Sequence, residues 1–163
     1  MNAVISPCGQ YRYQLKRQLQ GIGSRASVFM VNPSTADATD DDATIRKLIG
    51  FGQRLNWSSF TVGNIFAARA TDVNDLRKIV DPFGPMVDGY NLATMIETDL
   101  TVVAWGAGGK LPLSLRGKYA TIVQFAKMLN RDLYCWGFCQ DGEPIHPVMI
   151  GYDRQLTKWE TYL

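Results

Sequence analysis

Near its start the chain alternates apolar and polar positions, and further on the apolar residues gather into short runs separated by helical spacings. Tyr11, Tyr13 and Leu15 alternate with Arg12, Gln14 and Lys16, which predicts a half-exposed strand over residues 10–19. Gly21-Ile-Gly23-Ser24 reads as a turn, and residues 26–31 as the returning strand, so the chain opens as a hairpin. The outward face of its first strand carries Arg12, Lys16 and Arg17, a basic surface that solubility accounts for.

The apolar run at Val28 to Val31 stops on Asn32-Pro33, where proline removes a backbone donor and forces Asn32 out of the helical region. Asp40-Asp41-Asp42 precedes residues 43–55, in which Ile45, Leu48, Ile49 and Leu55 share one helical face. Acidic residues suit the positive end of a helix dipole, and Asp42 or Asp41 fits the N-cap. Residues 57–66 are a second core strand that reaches Asn64, and Thr71 or Asp72 caps a short helix running to Val80. A helix over 87–100 turns Leu92, Met95 and Ile96 inward. Residues 101–105 form a third strand, and a helix covers about 117–130. Residues 133–138 form a fourth strand and 153–163 a closing helix. Strands alternating with helices predict a three-layer α/β/α sandwich with a mostly parallel four-stranded central sheet, joined by the strand of the N-terminal antiparallel hairpin.

With 163 residues, 46% of them hydrophobic and 20% charged, the chain suits a single domain over 1–163 with a sizeable core. A net charge of +2, with the basic residues spread out, restricts any polyanion contact to a local patch. Cys8, Cys135 and Cys139 make neither a metal set nor an even disulfide framework, so no metal or cofactor is expected. No leader pattern or membrane-length apolar run is visible, and the expectation is a cytoplasmic protein of undetermined oligomeric state.

The chemistry gathers at the ends of the strands. Asn32-Pro33 follows the first core strand, Asn64 ends the second, Trp105-Gly106 ends the third, and His146-Pro147 follows the fourth; His146 is the only histidine. Parallel strands bring such ends to one sheet edge, where α/β proteins bind ligands. There Asn32 can orient a water, Asn64 can read an amide-like edge, and His146 can stabilise charge on a leaving group. Asp37, if it faces inward, supplies a base. The glycines of Gly106-Ala-Gly-Gly109-Lys110 can cradle an anion but match neither a Walker loop nor the dinucleotide fingerprint.

This series of strand ends resembles the uracil-DNA glycosylase superfamily. The resemblance implies a glycosylase-like fold, with Asn32 as the water-positioning residue, Asn64 as the base reader and His146 as the histidine of the His-Pro loop. Pro33, Ser34, Phe66, Trp105, Gly106 and Pro147 then line the substrate site, with Phe66 or Trp105 available to stack on a base. The stretches Asn32-Pro-Ser-Thr-Ala-Asp37, Asp42-Ala-Thr-Ile-Arg46, Asn64 through Asp72 and Gly142-Glu-Pro-Ile-His-Pro147 are also similar, along nearly the whole chain, to a bacterial and phage family of unknown function. The expected activity is N-glycosidic bond hydrolysis on, or modification of, a nucleobase or nucleotide, with DNA or a nucleotide as partner and no membrane. Two alternatives stay open: a non-catalytic nucleic-acid or nucleotide binder, and a small-molecule or protein-binding domain whose Asn and His residues are structural.

Overall fold

A computed structural model describes residues 2–160 as an α/β fold built on one mixed sheet. The strands are β1 (Asn2–Ile5), β2 (Arg12–Gln18), β3 (Arg25–Met30), β4 (Ser59–Asn64), β5 (Leu100–Val103), β6 (Leu133–Cys135) and β7 (Thr157–Lys158). They lie in the order β1-β2-β4-β3-β5-β6-β7. The β4–β3, β3–β5 and β5–β6 pairs are parallel; β1–β2, β2–β4 and β6–β7 are antiparallel. The helices are α1 (Ala43–Arg54), α2 (Val87–Ile96) and α3 (Ala120–Met128).

The side-chain period of two along a strand divides the core in two. Val28, Val62 and Val102 pack with Ile45, Leu48 and Phe51 of α1. Their chain neighbours Phe29 and Val103 pack in the other cluster, with Met95 of α2 and Ile122, Val123 and Ala126 of α3. Asp42 caps α1, its Oδ1 accepting from the Ile45 N–H at 2.9 Å, and Asp72 caps a 3-10 turn at Val73–Lys78. Among the described residues no helix is long and apolar enough to cross a membrane.

Several expectations are corrected. β2 does not return into β3, because β4 lies between them. The glycine turn wraps over the entry to β4: a Cβ on Gly21 would lie 2.2 Å from the Trp57 carbonyl oxygen, and the Gly23 N–H donates to Asn56. β2 instead forms its hairpin with β1, a strand too short and too weakly alternating to read from sequence. Ile96 is 55% exposed, and α2 buries Asn91 and Thr94 beside Met95. Gly63 makes room for this, since a Cβ there would come within 2.6 Å of both Asn91 Oδ1 and the Phe29 ring. The closing segment is the edge strand β7 rather than a helix; Trp159 donates its N–H to Leu133 and buries its ring. Residues 161–163 of the expected helix lie outside the described residues.

The basic face of the first strand is the largest correction. Arg12 and Arg17 are each only 2% exposed. Along β1–β2 the register steps from Val4↔Gln14 to Ile5↔Arg12, so Tyr13 is an extra residue, a β-bulge. A bulge puts the side chains on its two sides out of alternation with each other. Arg12, which alternation groups with the outward Gln14 and Lys16, is thereby turned inward on the α1 side, where it donates to the Ala36 carbonyl. Arg17 lies on that side by ordinary alternation with Leu15, and is held by Asp41 Oδ1 at 2.8 Å and by the Asp37 carbonyl.

Candidate functional site

A cavity of about 320 Å³ opens where β3 and β5 end and α1 begins. Asn32, Ser34, Trp105, Gly106 and His146 line it, together with Arg12, Asp42, Thr44, Thr71 and Lys110. Three of the predicted strand ends therefore meet. Asn64, Phe66, Pro33, Pro147 and Asp37 are not in the lining.

Asn32 is held by its amide. Nδ2 donates to the Ala70 carbonyl at 2.7 Å and to the Pro33 carbonyl at 3.0 Å, which leaves Oδ1 as the acceptor free for a ligand or water. Pro33 is buried, and its carbonyl also receives the Ala70 N–H, so its part is to fix the Asn32 loop. Ser34 stands beside Asn32 in the wall.

Trp105 is clamped on three sides. Nε1 donates to Glu143 Oε2 at 2.7 Å, Tyr119 stacks on the ring at 4.7 Å and 10°, and Trp159 meets it edge-on at 5.1 Å. The Glu143 bond and the Gly106 N–H donating to the Pro144 carbonyl at 2.7 Å tie the loop carrying His146 to the end of β5. Gly106 adopts φ +80, a left-handed conformation natural to glycine, and a Cβ on it would lie 3.3 Å from the His146 Cβ. The Gly108 N–H donates to Asp141 Oδ2 at 2.9 Å, so this amide of the glycine loop already serves an internal carboxylate.

His146 caps the 3-10 turn Pro147–Met149, its Nδ1 accepting from the Val148 N–H at 3.4 Å. That contact assigns the proton of the neutral ring to Nε2. Burial, and next the charge of Lys110, push its pKa down from 6.5 to about 4, against a smaller opposing pull from Asp42. His146 is therefore an uncharged hydrogen-bond donor at neutral pH.

Asn64 is 1% exposed, and neither its Nδ2 nor its Oδ1 has a partner; its backbone carbonyl accepts from Asn91. Strand alternation gives it the face of Phe60 and Val62, in register with Met30, which does line the cavity. Phe66 belongs to the opposite core cluster, with its ring 4.9 Å from Phe83, and Trp105 is the aromatic residue in the lining. Asp37 is turned into its own loop: Oδ1 accepts from the Thr39 and Asp40 N–H groups and the Thr39 hydroxyl, which lower its pKa to about 2. The carboxylate at the cavity is Asp42, which sequence alone presents as a helix cap.

Arg12 and Lys110 are the cations of the lining. Nothing in the local sequence marks Arg12, because its direction depends on the bulge. Among the described residues no three His, Cys, Asp or Glu side chains cluster closely enough to hold a metal ion. No curated protein and no solved structure matches the chain. A family described as a protein of unknown function (DUF1643) matches residues 12–148, most of the chain from β2 to the turn after His146. The chain belongs to that family.

Proposed function

We propose that the protein is an enzyme that acts on a nucleobase or nucleotide, with hydrolysis of the N-glycosidic bond as its reaction. The observation carrying this reading is the convergence of Asn32, Trp105, Gly106 and His146, from three separate stretches of chain, on one cavity at the ends of β3 and β5. The α1 cluster on one side of the sheet and the α2–α3 cluster on the other support the three-layer, glycosylase-like arrangement that goes with it.

In this reading the free Oδ1 of Asn32 accepts from the attacking water and aims it at the anomeric carbon. Asp42, the carboxylate of the lining, takes the proton as the C–N bond breaks. Negative charge then develops on the departing base. Neutral His146, donating from Nε2, stabilises that charge without carrying a competing positive charge into the site. Asn64 keeps both amide atoms buried and unpartnered outside the lining, so a base held in the cavity does not meet them. Trp105 is the rigid wall available for contact with its ring.

A second reading has one specific observation in its favour. Asn32 is an amide, and its Nδ2 is already bound to two backbone carbonyls, as suits a residue that shapes a binding loop without turnover. The two readings part in one experiment. The full chain and Asn32→Ala are incubated with single- and double-stranded DNA carrying uracil, mismatched or modified pyrimidines, and with free nucleotides. Release of free base by the wild type, lost in a normally folded Asn32→Ala, supports hydrolysis. Binding without release supports the binder, and neither binding nor release on any substrate rejects both.

A further inference from the structure

We propose that the cavity holds the terminal phosphate of a small ligand, with Arg12 as the residue that recognises it. Arg12 is 2% exposed yet lines the cavity. Only its Nη1 is tied to the protein, through the Ala36 carbonyl, and its Nε has no partner. Among the described residues no carboxylate lies within ion-pair distance of it, whereas the neighbouring buried Arg17 is paired with Asp41. A guanidinium desolvated without a counter-ion is costly unless an anion completes it. Its planar fork suits a phosphate, which can take two N–H donors at once.

The surroundings have the same sign. Lys110 stands at the exposed rim and Arg12 inside, against the single carboxylate Asp42. Asp42 is folded onto the start of α1, where it caps the Ile45 N–H. Thr44 and Ile45, in the first turn of that 12-residue helix, also line the cavity, so the positive end of the helix dipole borders it. The depth of Arg12 selects among phosphates. A phosphodiester within a strand runs along a protein surface with its neighbours, whereas a terminal monoester can enter a recess that encloses it. The ligand class is therefore a nucleoside 5′-monophosphate rather than a base within a polymer. The phosphate site stands on Arg12 and the cavity alone; only its assignment to a nucleotide rests on the function proposed above.

The test is calorimetric titration of the full chain with deoxynucleoside 5′-monophosphates, the matching nucleosides, 2-deoxyribose 5-phosphate, and oligonucleotides lacking a terminal phosphate. The best nucleotide is expected to bind at least about tenfold tighter than its nucleoside, the scale of one hydrogen bond to a charged group. Arg12→Met should erase that difference and Arg12→Lys should recover part of it. If 2-deoxyribose 5-phosphate binds with the same Arg12 dependence and the base adds nothing, the phosphate site stands and the nucleobase reading falls. Equal affinity for nucleoside and nucleotide in the wild type overturns the phosphate site, whether or not the variants fold. An oligonucleotide that outcompetes every mononucleotide overturns it as well.

Discussion

Gly106 and His146 approach so closely that a Cβ on the glycine would lie 3.3 Å from the His146 Cβ. The glycine holds φ +80 at the exit of β5, and its N–H is bonded to Pro144 in the histidine loop. Gly106→Ala meets two penalties together, a left-handed conformation and a crowded neighbour. A loss of about 1–3 kcal/mol in urea unfolding is expected. The displaced loop should weaken ligand binding in the fraction that remains folded, measured by titration below the unfolding transition.

His146 makes acid sensitivity readable. Its pKa falls from 6.5 to about 4 on folding. Between these values the unfolded chain binds a proton that the folded protein does not, so stability is full above about pH 6.5 and declines as pH drops towards 4. Thermal unfolding across that window should show a decline that is smaller in His146→Gln. As the only histidine, its ring gives one NMR titration curve, whose midpoint should lie near 4. A midpoint near 6.5 would mean that the ring is hydrated in the folded protein.

Asp42 and Asp37 separate the carboxylate that lines the cavity from the one that sequence offers as a base. Asparagine caps a helix about as well as aspartate, so Asp42→Asn should unfold within about 0.5 kcal/mol of the wild type. Its turnover should fall by on the order of a hundredfold or more as the proton acceptor is lost. Asp37→Asn keeps the Oδ1 that accepts from Thr39 and Asp40, and its turnover should stay near wild type. The reverse pattern would return the base role to Asp37.

Arg17 and Asp41 test the inward-facing arginines. Arg17 is 2% exposed and Asp41 23%. Asp41→Ala leaves a buried guanidinium held by carbonyls alone, and a loss of about 3 kcal/mol is expected in denaturant unfolding. Lys16→Ala, in the same strand but exposed, should change stability by less than about 0.5 kcal/mol. Equal effects would place both side chains at the surface.

Much of the fold is legible in the chain itself. The helical spacing of Ile45 and Leu48, the acidic cap at Asp42 and the proline stop after Asn32 are local signals, and the structure holds α1 and β3 where they indicate. The sheet exposes what local signals omit. Alternation at residues 12 to 16 is periodic in sequence, but one extra residue at Tyr13 reverses which face Arg12 occupies. The glycine turn packs against Asn56 and Trp57 at the entry to β4, some 35 residues later, a contact with no local trace.

The candidate site divides in the same way. By itself the sequence determined the polar residues that end the apolar strands: Asn32, Asn64, the Trp105-Gly106 pair and His146. It could do so because a proline, a glycine or a polar residue closing an apolar run is chemically conspicuous. Only the tertiary structure decided which of them share a cavity, that Asp37 turns into its own loop while Asp42 faces the cavity, and that Arg12 lies buried beside them. The physical reason is that side-chain direction at a strand end or a bulge is set by pairing partners distant in the chain, and a one-residue change of register inverts it.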